Sequence, residues 1–244
     1  MAKKSRTPMP PKTVQAPRAR TAGRPDDLGR RHRNLLYGAA GSGVGLLIVV
    51  VAYIALGGGG GSKLSDAKVA PLMKTAACTF KTVNGYLPKG QTMHKNSLTG
   101  KFPCNTDPPS NGQHYPAWAV WGFYTEAVNP RQVVHNEEHG GVIIWWGPKV
   151  AQATVTKLRA FYDEQPDGSF GTPYATLGSK IAISAWTGDP LKYQTNGYYG
   201  LGHLAVCPTY NAATKAAFEA FRKAYRGHGP EGIPLSADEP GMGP

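Results

Sequence analysis

Residues 35–56, LLYGAAGSGVGLLIVVVAYIAL, run for 22 positions without a charged side chain. A helix rising about 1.5 Å per residue carries such a run across roughly 30 Å, the hydrocarbon thickness of a bilayer. The segment is therefore expected as a single transmembrane helix, and every other part of the chain must lie on one side of it or the other. Gly38, Gly41, Gly43 and Gly45 are ordinary in a membrane span, and the Gly41/Gly45 pair reads either as a dimer seam or as plain composition. A cleaved signal peptide is the rival reading, because Ala55-Leu56-Gly57 offers a small-x-small triplet. The basic region before the run is longer than 30 residues and the run exceeds a normal signal core, so an uncleaved signal-anchor fits better.

Charge sets the orientation. The chain has 244 residues with 27 Lys+Arg and 15 Asp+Glu, and residues 1–34 hold ten of the bases against Asp26 and Asp27 alone. Subtraction leaves 17 bases and 13 acids for residues 35–244, so the net charge of +12 divides into +8 and +4. Ten cations before the span and a lone Lys63 soon after it place the N-terminus in the cytoplasm and the rest outside the cell membrane. The high positive charge describes a Pro- and Arg-rich tail, expected to be disordered, and gives no reason to expect nucleic acid as a partner. Residues 57–63 are a Gly-rich linker, expected to be flexible, and the outer domain is expected over 64–232, with 233–244 a disordered C-terminal tail.

Within that domain, PCNTDPPSNGQHYP (103–116) must be loop, since neither a helix nor a central strand tolerates such proline density. WAVWGFYTEAV (118–128) reads as a strand pair or one bent strand, and GVIIWW (141–146) and IAISAW (181–186) as buried strands. Helices are expected over about 148–163 and over 212–226, the latter capped by Asn211 and stopped by Gly227. The sum is an α+β domain: a small mixed sheet with two helices.

Three cysteines, Cys78, Cys104 and Cys207, fall on the side where thiols oxidise, so one must stay unpaired or bond another chain. Cys78 with Cys104 is the preferred pair, because a Pro/Gly-rich half without long elements gains most from a staple. No CxxC is present, which argues against a dithiol redox centre. Cys207 lies four residues after His203, either as a ligand pair or as a buried thiol beside a core histidine.

Four of the seven histidines lie in the most motif-like part: His94, His114, His135 and His139. If 133–139 is helical, His135 and His139 project from one face beside Glu138, the geometry by which one helix offers two nitrogens to zinc or copper. HNEEH also fits the H-x-x-E-H pattern of inverted zinc peptidases. However, a glycine pair and a strand follow at once, and such a site needs a third ligand, which His114 or His94 would have to supply. No acyl-transfer, phosphate-loop or dinucleotide motif appears, and no catalytic residue is assigned.

Taken together, DPPSNGQHY (107–115), GFYTEAV (122–128), VVHNEEHGGVIIWW (133–146), ISAW (183–186) and AYRGHGPE (224–231) resemble the bacterial domain of unknown function family numbered 3105. The resemblance implies a domain outside the cytoplasm behind a single anchor. It also implies a hallmark of His114, His135, Glu138, His139 and Gly140, with His94 matching an earlier family histidine. Two departures stand out: Glu137 replaces a usually apolar residue, adding an acid to the cluster, and 195–211 looks like an elaborated loop. Functionally, the chain is expected to bind copper or zinc at the cell envelope through His94, His114, His135, His139 and Glu138. The alternatives are an envelope protein-interaction module with structural histidines, in which some of Trp118, Trp121, Trp145 and Trp146 contact a partner, and a metal-dependent hydrolase.

Overall fold

The computed structural model describes residues 61–244. The basic tail, the apolar run 35–56 and the start of the glycine linker lie outside the described residues, among which no helix is long and apolar enough to cross a membrane. The elements in chain order are α1 (Gly61–Thr75), β1 (Thr79–Asn84), α2 (Pro130–His139), β2 (Val142–Trp146), α3 (Gln152–Glu164), β3 (Ser169–Pro173), β4 (Ile181–Thr187), β5 (Leu201–Cys207) and α4 (Ala212–Tyr225), with short 3-10 turns at Ala175–Leu177 and Leu235–Ala237. The α+β class is as expected, but among the described residues four helices stand where two were expected for the domain.

The five strands form one mixed sheet in the order β1-β5-β4-β2-β3. β2 and β3 are parallel and joined through α3, while the other three pairings are antiparallel. Alternation along the strands separates two cores. Val142, Ile144 and Trp146 of β2 and Ile181, Ile183 and Ala185 of β4 pack with Val69 and Met73 of α1, Leu158 and Phe161 of α3 and Phe218 and Phe221 of α4. Ile143, Trp145 and Ala182 face the other way, against Val133 of α2 and Trp121. Three helices thus cover one face, and α2 with its neighbouring loops covers the other, where the histidines lie. Trp121, Trp145 and Trp146 are all buried, so they offer no partner surface, and Trp118 is half-buried.

Several expectations are corrected. The disulfide joins Cys78 to Cys207, and Cys104 is the free thiol. Cys78 directly precedes β1 and Cys207 ends β5, so the antiparallel pairing that sets Thr79 opposite Val206 brings the two sulfurs together. Locality in sequence favoured Cys104, but β-pairing decided. Residues 118–128 contain no strand; their one sheet-like link is the bridge from Phe123 to Gly171. The expected elaborated loop 195–211 contains β5, whose pattern is hidden because it is buried on both faces apart from its edges. Gly61 and Ser62 belong to α1 rather than to a linker, and Pro71 sits inside that helix. The C-terminal stretch, expected to be disordered, packs on the domain: the Trp121 N–H donates to Met242 O at 2.9 Å and the Gly168 N–H to Asp238 O at 2.9 Å.

Candidate metal centre

The helix α2 carries the centre, and its ends are fixed by local chemistry. Asn129 caps it, its side-chain oxygen accepting from the Arg131 N–H at 3.0 Å, and Pro130 occupies the first turn, where a missing N–H costs nothing. Gly140 ends it at φ 110°, where an added Cβ would meet the Gly229 nitrogen at 2.8 Å, so glycine is required there. Asn136 faces the 118–121 loop, accepting from the Ala119 N–H at 3.0 Å and donating to its carbonyl at 2.9 Å. Arg131, buried beneath, donates to Gly100 O at 3.2 Å and Lys101 O at 2.5 Å and so ties down the segment that leads from His94 toward His114. That pair is itself clamped: the His114 N–H donates to Met93 O at 3.0 Å, and the Lys95 N–H to His114 O at 2.7 Å.

These supports bring His94, His114 and His135 into mutual contact, with ring centroids 4.8 Å (His94–His114), 5.1 Å (His94–His135) and 4.8 Å (His114–His135) apart. Glu138 Oε2 sits among them, 2.9 Å from His114 Nε2, 3.4 Å from His94 Nε2 and 3.8 Å from His135 Nε2. One ligand atom from each of the four lies within 4.8 Å of the others. A tetrahedral ion with bonds of about 2.0–2.1 Å separates its ligand atoms by about 3.3 Å, a value that the three Glu138 distances bracket.

The ring orientations suit the same use. His114 Nδ1 donates to Gly112 O at 2.8 Å and His135 Nδ1 to Tyr115 O at 2.8 Å. A carbonyl only accepts, so each Nδ1 carries a proton, and in the neutral ring the lone pair is on Nε2, directed inward. His114 Nε2 is fully buried and faces Glu138 Oε2. Burial, and then the His114 imidazole beside it, push the His135 ring down to about 4, which keeps it neutral near pH 7. Burial works against ionisation of Glu138, but His114, His94 and the Tyr193 hydroxyl overcome it and hold the carboxyl well below its ordinary range. Glu138 in turn, through its hydrogen bond and against burial, raises His94, whose ring is 41% exposed and forms the open side of the cluster.

His139 does not join this group. It turns toward Glu231, with Nε2 3.6 Å from Glu231 Oε2, while Nδ1 meets Asp238 Oδ1 at 3.3 Å. Glu137 does not add an acid to the cluster either. It points to the sheet, where the Ser184 hydroxyl donates to its Oε1 and the Trp145 ring N–H donates to Ser184 Oγ at 2.7 Å. Burial raises its carboxyl well above the usual range. Glu138, the acid of the H-x-x-E-H pattern, is enclosed by the three imidazoles as a ligand would be, on a helix of ten residues. The pairing of His203 with Cys207 as ligands is removed by the disulfide; His203 instead meets Thr82 Oγ1 at 3.0 Å and Thr187 Oγ1 at 2.8 Å. Tyr193, Glu231 and Asp238 escaped the sequence reading as members of the site. Tyr193 comes from the loop between β4 and β5 and donates its hydroxyl to Glu138 Oε1.

The sequence model of the family described as "Protein of unknown function (DUF3105)" matches residues 95–234. The chain belongs to this family. The DUF3105 match contains His114, His135, Glu138, His139 and Glu231 and begins one residue after His94. Neither a curated protein nor a solved structure matches the chain.

Proposed function

We propose that this DUF3105 protein is a single-pass membrane-anchored module that binds a copper or zinc ion at the outer face of the cell membrane. Three imidazoles and one carboxylate are the ligands: His94, His114, His135 and Glu138. The observation that carries this reading is the convergence of one ligand atom from each of His94, His114, His135 and Glu138 within 4.8 Å of one another, with His114 Nε2 and the Glu138 carboxylate both buried. Imidazole and carboxylate donors suit zinc and copper, and a site with one half-exposed histidine leaves a path for the ion. Backbone acceptors behind His114 and His135 supply the outer support that fixes ligand tautomers. Placement outside the cytoplasm is supported by the disulfide, which persists in an oxidising compartment, and by the apolar run with its preceding cations.

The purified chain, titrated with Zn²⁺ or Cu²⁺ against a competing chelator, is expected to take up one ion. The H94A variant is expected to lower affinity at least tenfold, since it removes one of four ligands. Absence of uptake of either ion would end the reading. A second reading, an envelope interaction module with structural histidines, is favoured by the hydrogen bond of His94 to Glu138 at 3.4 Å, which pins the loop to α2 without any ion. It predicts that the same titration gives no binding while H94A destabilises the fold.

A further inference from the structure

A second group of ligating atoms adjoins the first and shares one member with it. One atom from each of His135, His139 and Glu231 lies within 4.8 Å of the other two. His139 stands one turn after His135, with ring centroids 5.0 Å apart. Asp238, fully buried, stands behind its Nδ1 and leaves Nε2 directed at Glu231. A carboxylate in that position fixes the tautomer of a ligating imidazole and raises its basicity.

His135 cannot serve two ions at once. Its Nδ1 proton is committed to Tyr115 O, so the ring has one lone pair, on Nε2, and one lone pair binds one cation. We infer that the two groups are overlapping stations for a single divalent transition-metal cation, which passes between a His94/His114/Glu138 side and a His139/Glu231 side by changing partners about His135. This rests on the metal reading above and extends it from a site to a route. The inner station, with two fully buried ligands in His114 and Glu138, opens to solvent at His94, 41% exposed, and the outer one opens at Glu231, 28% exposed. Each station contains one carboxylate that can face the ion. A cation moving between them therefore always has an anionic partner, which avoids the cost of an unpaired buried charge. The outer station gives the ion a second way to or from another chelating molecule, besides the open side at His94.

Co²⁺ is the probe, because its visible absorption reports ligand number and type, and the full chain is used. Wild type is expected to take up one tight equivalent. The H94A/E138Q variant, which dismantles half of the inner station and leaves the outer one whole, is expected still to bind one Co²⁺, about 10–100-fold more weakly and with shifted bands. Adding E231Q to that background is expected to abolish uptake. Because the double variant can fail to fold, E231Q alone provides a second route: release of bound Co²⁺ to excess EDTA is expected to slow by about tenfold. Two tight equivalents in wild type, residual binding indifferent to Glu231, or an unchanged release rate in E231Q would each overturn the shared stations while leaving the inner site standing. A wild type that takes up no Co²⁺ overturns the metal reading itself, and the stations with it.

Discussion

Replacing both Cys78 and Cys207 with Ala isolates what the single disulfide contributes. The bond spans 129 residues and ties the edge strand β1 to its neighbour β5. In the chain-entropy picture, releasing a loop of that length returns about 17 cal/mol/K to the unfolded chain, or about 5 kcal/mol at 25 °C. For a domain of this size, where 1 kcal/mol moves Tm by roughly 2–4 °C, the midpoint should fall by about 10–20 °C. Cys104 controls for the loss of a thiol, since it is half-buried and forms no disulfide, and C104A should move Tm by no more than about 2 °C. Thermal and urea unfolding of the three proteins, with and without reductant, measures this. Reductant should bring wild type down to the double variant and leave the double variant unchanged. A C104A loss equal to that of C78A/C207A, or wild type indifferent to reductant, would show that the strand pairing does not set the disulfide.

Asn136→Ala should cost about 2–4 kcal/mol in urea unfolding, because the N–H and carbonyl of Ala119 both lose their buried partner. Tyr193→Phe keeps the ring and removes the donor to Glu138 Oε1; chelator competition should show metal affinity lower by about tenfold, with Tm nearly unchanged. Burial holds His228 below the ordinary imidazole range. The unfolded chain therefore gains a proton near pH 6.5 that the native protein does not accept. Stability from this group is complete above about that pH and is lost as pH falls toward the folded value. Unfolding free energies from pH 7 to pH 5 should fall less steeply in H228Q than in wild type.

Much of this was legible in the sequence where chemistry is local. Asn211 and the Phe218/Phe221/Tyr225 spacing marked α4, Gly140 marked the end of α2, and the apolar runs around Ile143 and Ile183 marked the central strands. Of the five residues that the sequence points to as ligands, His94, His114, His135 and Glu138 are assembled together, and His139 stands in the adjoining group. What failed was decided by pairing at long range. β1 and β5 exist because each supplies the other's hydrogen bonds, and neither shows clean alternation in its own letters. The Cys78–Cys207 bond follows from that pairing, and local loop content had pointed to Cys104. The opposite turns of Glu137 and Glu138 depend on which face of α2 meets Ser184, a tertiary fact invisible in HNEEH. His139 shared the helix face of His135 as expected, but Asp238, 99 residues away, draws it to a different partner.

X-ray absorption at the zinc or copper edge, on the purified chain loaded with one equivalent, tests the central claim most directly. The expected spectrum shows three imidazole nitrogens and one carboxylate oxygen at about 2.0–2.1 Å. A shell without imidazole scattering, or a chain that retains no ion after loading, would contradict it.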